Sequence, residues 1–120
     1  MTSTTEFDGF YAAYISGMAG NGLVMLVFAK HLIVGVDTTG VCFDGHYVDS
    51  GSSIHADVTV TVPPNTELIQ GTKAGDEGLT YQITMDLPRN FADIAFVPIT
   101  TPLGKVNARF QRMRALGELV

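Results

Sequence analysis

Two histidines and two aspartates flank one turn: Asp44 and His46 before Asp49-Ser50-Gly51-Ser52-Ser53, and His55 and Asp57 after it. If 41–48 and 54–62 form a hairpin, Phe43 and Tyr47 share a dry face with Ile54, Ala56 and Val58. The opposite face then carries Asp44, His46, His55 and Asp57, with His46 across from His55 or Asp57. Imidazoles and carboxylates in one patch are zinc-ligand types, which makes His46, His55 and Asp57 the candidates for a metal. A flat ladder with nothing closing over it is a poor cage. The expected reading is therefore a solvent-facing polar stripe with an Asp–His ion pair at low pH. Neither a metal nor a cofactor is expected.

The other reactive side chains are poorly placed for catalysis. Ser50, Ser52 and Ser53 form a turn, not a nucleophile elbow. Cys42, the single cysteine, sits in Gly40-Val41-Cys42-Phe43 with no basic neighbour, so it is expected as a packed thiol. With no second cysteine an internal disulfide is excluded, and a reducing compartment fits. Glu67 and Glu77 fall in a long loop, and His31 belongs to a surface turn beside Lys30. Gly17-Met18-Ala19-Gly20-Asn21-Gly22 resembles a phosphate loop only superficially. It lacks the Gly-x-Gly-x-x-Gly order, and a strand rather than a helix N-terminus follows. It is expected to be a flexible hairpin loop. The chain reads as a non-enzyme.

The elements that carry these residues are strands. Ile54, Ala56, Val58, Val60 and Val62 alternate with polar residues, as do Leu79, Tyr81, Ile83 and Met85. The segments 9–16 and 22–29 are apolar on both faces, so each must be covered on both, by a second layer or another subunit. Further strands are expected over 92–99 and 106–112, with Pro98 and Pro102 placing the first at an edge or bulge. Between 63 and 78 lies a loop long enough to be functional or mobile. The residues 1–6 are expected to be a flexible N-terminus. Phe7-Asp8-Gly9-Phe10-Tyr11 recurs as Phe43-Asp44-Gly45-His46-Tyr47, each copy opening a β-leaning run. The fold expected is all-β: a single antiparallel up-and-down barrel of about eight strands over 1–120, with little or no helix. An open sandwich is the competing architecture.

Composition bounds the partners. An apolar fraction of 46% with 16% charged residues belongs to an ordered domain, and a mean hydropathy of +0.24 leaves apolar surface for a partner or ligand. The net charge of −5 argues against nucleic acid. Four of the seven basic residues (Lys105, Arg109, Arg112, Arg114) fall after position 104, against only Glu118 of the acidic ones. They form either a solvated tail or a basic patch for an acidic partner. The apolar stretch 22–36 is too short to span a bilayer and is broken by Lys30-His31. No signal peptide is recognised at the start, so a cytoplasmic protein without a membrane partner is expected.

Two functional readings follow. A barrel that leaves its interior unfilled could carry a small apolar ligand on Phe10, Ala12, Tyr14, Phe43, Tyr47, Ala56, Tyr81 and Phe110. A barrel that docks on protein would use the other side of the greasy strands, Tyr11, Ile15, Val24, Leu26 and Phe28, with Arg109 and Arg112. There is no tryptophan, so the Gly-x-Trp signature of lipocalins is missing.

The runs Asp8-Gly9-Phe10-Tyr11, Gly20-Asn21-Gly22-Leu23-Val24, Val34-Gly35-Val36-Asp37 and Phe43-Asp44-Gly45-His46-Tyr47 cover the first half of the chain. Together they resemble the GrlR-like family, small proteins typified by a negative regulator of type III secretion genes. The resemblance implies an eight-stranded barrel of lipocalin-like shape with an apolar interior, usually a homodimer. It also implies regulation by binding and sequestering a protein. The founding member carries an exposed Glu-Asp-Glu-Asp run after the Tyr strand. Here that region reads Val48-Asp49-Ser50-Gly51-Ser52-Ser53, with only Asp49 acidic. Protein binding by a homodimeric regulator is thus the first expectation, and an intracellular carrier or sensor of a small apolar ligand the second.

Overall fold

In the computed structural model, which describes residues 6–116, the alternating segments become eight strands. They are β1 (Gly9–Gly17), β2 (Gly20–Ala29), β3 (Leu32–Asp37), β4 (Cys42–Asp49), β5 (Ser53–Val62), β6 (Leu79–Pro88), β7 (Val97–Thr101) and β8 (Gly104–Ala115). All pairs are antiparallel, in the order β6-β5-β4-β3-β2-β1-β8-β7. The edges β6 and β7 come together without a ladder, so the sheet nearly closes into a single up-and-down barrel. Of the expected flexible start, residues 1–5 lie outside the described residues. Glu6 is engaged by the Arg89 guanidinium.

Turn chemistry explains the short links. Lys30 and His31 both take positive φ (53° and 70°), the twist a two-residue hairpin needs. Asp37 accepts hydrogen bonds from the Thr39 and Val41 amides at 2.8 and 3.0 Å and closes the next turn. The expected strand over 92–99 is shorter and later, Val97–Thr101. The reason is Phe91, whose side chain drops into the barrel while the Phe91 and Asp93 amides close turns on Pro88 and Asn90. Pro98 does sit on an edge strand. Both copies of the repeated pentapeptide fall at strand starts, the first running into β1 at Gly9 and the second beginning with Phe43, one residue inside β4.

Inside and outside follow the clean strands. Ile54, Ala56, Val58, Val60 and Val62 point inward on β5, as do Val106, Ala108 and Phe110 on β8. On the doubly apolar β1 and β2 the faces are the reverse of the sequence expectation. Tyr11, Ala13 and Ile15, with Val24, Leu26 and Phe28, fill the interior, whereas Phe10, Ala12 and Tyr14 lie outside. Pairing decides this. Ala13 stands opposite Phe110, and cross-strand partners share a face, so β8 imposes its inward set on β1.

Rings close one end of the barrel. Tyr11, Phe28 and Phe91 pack with centroids 4.7–5.8 Å apart, and Phe7, Tyr47 and Phe110 surround them. The Tyr11 hydroxyl donates to the Phe7 carbonyl at 2.7 Å, and burial pushes its pKa up to about 12 against the opposing charge of Arg112.

Candidate functional site

The outer wall divides into two unlike sectors. On β1, β2 and β3 the outward rows read Phe10-Val27-Val34, Ala12-Met25-Val36 and Tyr14-Leu23 across the strands. Met25 is 45% and Val34 52% exposed, although a sheet face of this composition is ordinarily buried. Ala12 is covered, because the larger side chains around it on the same face leave it no access to solvent. The basic side chains of β8 border the patch on one side: Arg109 opposite Tyr14, stacked 4.4 Å over its ring, and Arg114 opposite Phe10. On the other side stand Cys42, Asp44 and His46 of β4, opposite Val36, Val34 and Leu32. Cys42 is exposed there, not packed as expected, because its place on β4 points the thiol outward. Arg112 leaves the face altogether. Opposite Tyr11, it folds over the ring-packed end, donates to the Asp8 carbonyl and lies 5.9 Å above the Tyr11 ring.

The polar sector holds the histidines. His46 pairs with Asp57 across β4 and β5, and His55 with Asp86 across β5 and β6. The result is an exposed chain: His46 Nε2 lies 3.8 Å and His55 Nε2 3.7 Å from Asp57 Oδ2, and His55 Nδ1 lies 2.9 Å from Asp86 Oδ1. The Thr84 hydroxyl donates to the other Asp57 oxygen at 3.0 Å. Both imidazoles thus approach the one Asp57 oxygen, and His55 reaches on to Asp86, in a ladder along the exposed wall. Among the described residues no group of three or more His, Cys, Asp or Glu side chains is arranged to hold a metal ion. The hydrogen bond to Asp86 raises the His55 pKa above the ordinary histidine value. Its protonated form is therefore favoured in the fold, a contribution lost as pH rises through that raised pKa.

The interior candidates separate by depth. Tyr47, Ala56 and Phe110 are packed core residues. Phe43 and Tyr81 line a cavity of about 220 Å³ at the end opposite the rings. The segment Leu68–Gln70 covers it, and the sequence reading missed these residues. The loop 63–78 is not free chain: Leu68 and Ala74 amides bond the Thr72 and Thr66 carbonyls, folding it back on itself. Ile69 is seated against the β1–β2 turn, where the Ala19 amide donates to its carbonyl at 2.7 Å. Gly17 allows that approach, since a Cβ there would stand 2.6 Å from the Ile69 oxygen. The glycine-rich turn is therefore the hairpin link expected, and it also seats a second loop. The only sequence signal was Leu68-Ile69, an apolar pair inside an otherwise polar loop.

Comparison with known proteins returns nothing: no family model, no curated protein and no solved structure matches the chain. Among the described residues no helix is long and apolar enough to cross a membrane.

Proposed function

We propose that this protein is a non-enzymatic binding barrel of the regulatory kind its resemblance to the GrlR-like family implies, and that it meets protein through the outer face of β1–β3. The observation that carries the reading is the half-exposed apolar face itself. Its first occupant is a second copy of the chain. The argument is charge order: Arg109 and Arg114 lie on one flank, Asp44 on the other, with Asp57 and Asp86 beyond it. A two-fold axis parallel to the strands lays the basic flank of one copy over the acidic flank of its partner. An axis across the strands lays like on like. Only the first orientation buries the apolar rows and matches charge at the rim. The exposed, single Cys42 beside this face suits a reducing, cytoplasmic setting.

The test is native mass spectrometry with light scattering on the wild type and on Met25→Glu/Val34→Glu. A wild-type dimer that becomes a monomer in the double variant, with the thermal midpoint nearly unchanged, is the expected result. A monomeric wild type at tens of micromolar, or a dimer indifferent to both charges, overturns the reading.

A further inference from the structure

The cavity at the loop end has a chemistry of its own, independent of the outer face. Its walls are Ile15, Val24, Phe43, Ile83 and Val106, and a smaller apolar void of about 50 Å³ lies on the core side of Ile15, Val24, Phe43 and Ile83. Its polar corner is Gln70 with Tyr81 and Thr101. The Gln70 Nε2 donates to the Tyr81 hydroxyl at 3.3 Å and to Thr101 Oγ1 at 3.4 Å. Thr101 commits its own proton to the Gly104 carbonyl at 2.6 Å, so its oxygen can only accept from Gln70. That fixes which end of the amide is nitrogen. The amide oxygen, Gln70 Oε1, is left buried and takes no hydrogen bond from the protein. A buried acceptor without a donor is costly, and a ligand that supplies one gains the difference.

Size and charge narrow the class. A dry cavity of roughly 150 Å³ takes benzene, so this one accommodates a ring with a short substituent and little more. It falls below the usual drug-sized pocket of ~300 Å³ or more, too small to enclose a long acyl chain. Asp37 and Glu67 stand among the lining residues, and the Asp37 carboxylate is held by three donors from Thr39 and Val41. An anionic ligand would meet negative charge at the rim.

We propose that the loop end of the barrel binds a small, uncharged, mostly apolar molecule with one hydrogen-bond donor, an alcohol of about phenol size, whose hydroxyl donates to the buried Gln70 Oε1 as the covering loop shifts to admit it and whose apolar end lies against the strand side chains. Leu68–Gln70 is the wall that gives recognition, because it holds an unpaired, buried acceptor at the edge of a mixed but mainly apolar space.

The experiment is an amide-detected NMR titration of the full chain with phenol, toluene and benzoate, repeated on Gln70→Leu and Val106→Phe. Phenol is expected to shift Gln70, Tyr81 and Phe43 amides saturably and to bind roughly five- to tenfold tighter than toluene, the worth of one hydrogen bond. Benzoate is expected not to bind. Gln70→Leu should bring phenol down to the toluene level, and Val106→Phe should abolish both. Three probes without saturable shifts at millimolar concentration overturn the proposal. So does a phenol preference that survives Gln70→Leu, a variant on the covering loop that leaves the strand core intact.

Discussion

At the end of the barrel where β1 begins, rings fill the tube; at the end where β1 stops, a loop lies over a cavity. The first closure uses Phe7, Tyr11, Phe28, Tyr47 and Phe91, each almost fully buried. Arg89 clamps it from outside, 5.1 Å above the Phe7 ring and bonded to Glu6 and Asp49. The second closure is Leu68–Gln70, half-buried and held by the Ala19–Ile69 backbone hydrogen bond and by the amide of Gln70. Ring packing contributes stability and leaves no room. A loop seated by a few polar contacts opens locally at far lower cost than the core, and so suits an entrance. One tube therefore has a tightly packed end and a loop-covered end with space beneath it.

The contrast can be broken at either end. Phe91→Ala should cost most, about 3–5 kcal/mol of unfolding free energy in a urea titration, because it empties the centre of the ring cluster. A loss under about 1 kcal/mol would mean the rings are not the main support. Gly17→Val comes next. Its Cβ meets the Ile69 carbonyl, so the loop must lift, at about 1–3 kcal/mol. Hydrogen exchange should quicken at the Ala19 amide and stay slow at the Tyr47 amide. Equal acceleration at both would show that the two ends are one cooperative unit.

Acid gives the smallest effect and sharpens the same comparison. The Gly51 amide, and after it Arg89, hold the Asp49 carboxyl below its ordinary value. A lowered carboxylate pKa adds stability above the unfolded value, and the addition disappears as pH falls through the folded one. Carbon-detected NMR should therefore show Asp49 titrating below the ordinary aspartate range, and Arg89→Leu should restore only part of the shift, since Gly51 remains. Chemical shifts that follow this titration should be confined to the ring-packed end. A response at Gln70 would contradict the separation.

Much of this was legible in the residues. Strict alternation on β5 and β6 sets which side chains face inward wherever one face is polar, and His46, Asp57, His55 and Asp86 fall on the outer wall for that reason. On β1 and β2 the same rule gives no answer, because both faces are apolar. Phe10 and Tyr11 are equivalent until a neighbour chooses between them. The unambiguous β8, with Val106, Ala108 and Phe110 against Asn107, Arg109 and Gln111, held that choice, but only through pairings between the two ends of the chain, such as Ala13 with Phe110. Pairing partners so far apart are not written in local periodicity.

The sequence alone thus determined the all-β class, a count of about eight strands, the polar sector and an edge or bulge for Pro98, all consequences of period-2 patterning and proline chemistry, while the choice of barrel over open sandwich was left to the pairing. Tertiary structure alone decided which side of β1 and β2 is core, that Arg112 caps a barrel end, and that Gln70 lines a cavity with its amide oxygen buried and unpaired. The physical reason is common to all three. Each depends on register between distant strands or on where a long loop settles, and the free energy that selects these comes from packing against partners no local window contains.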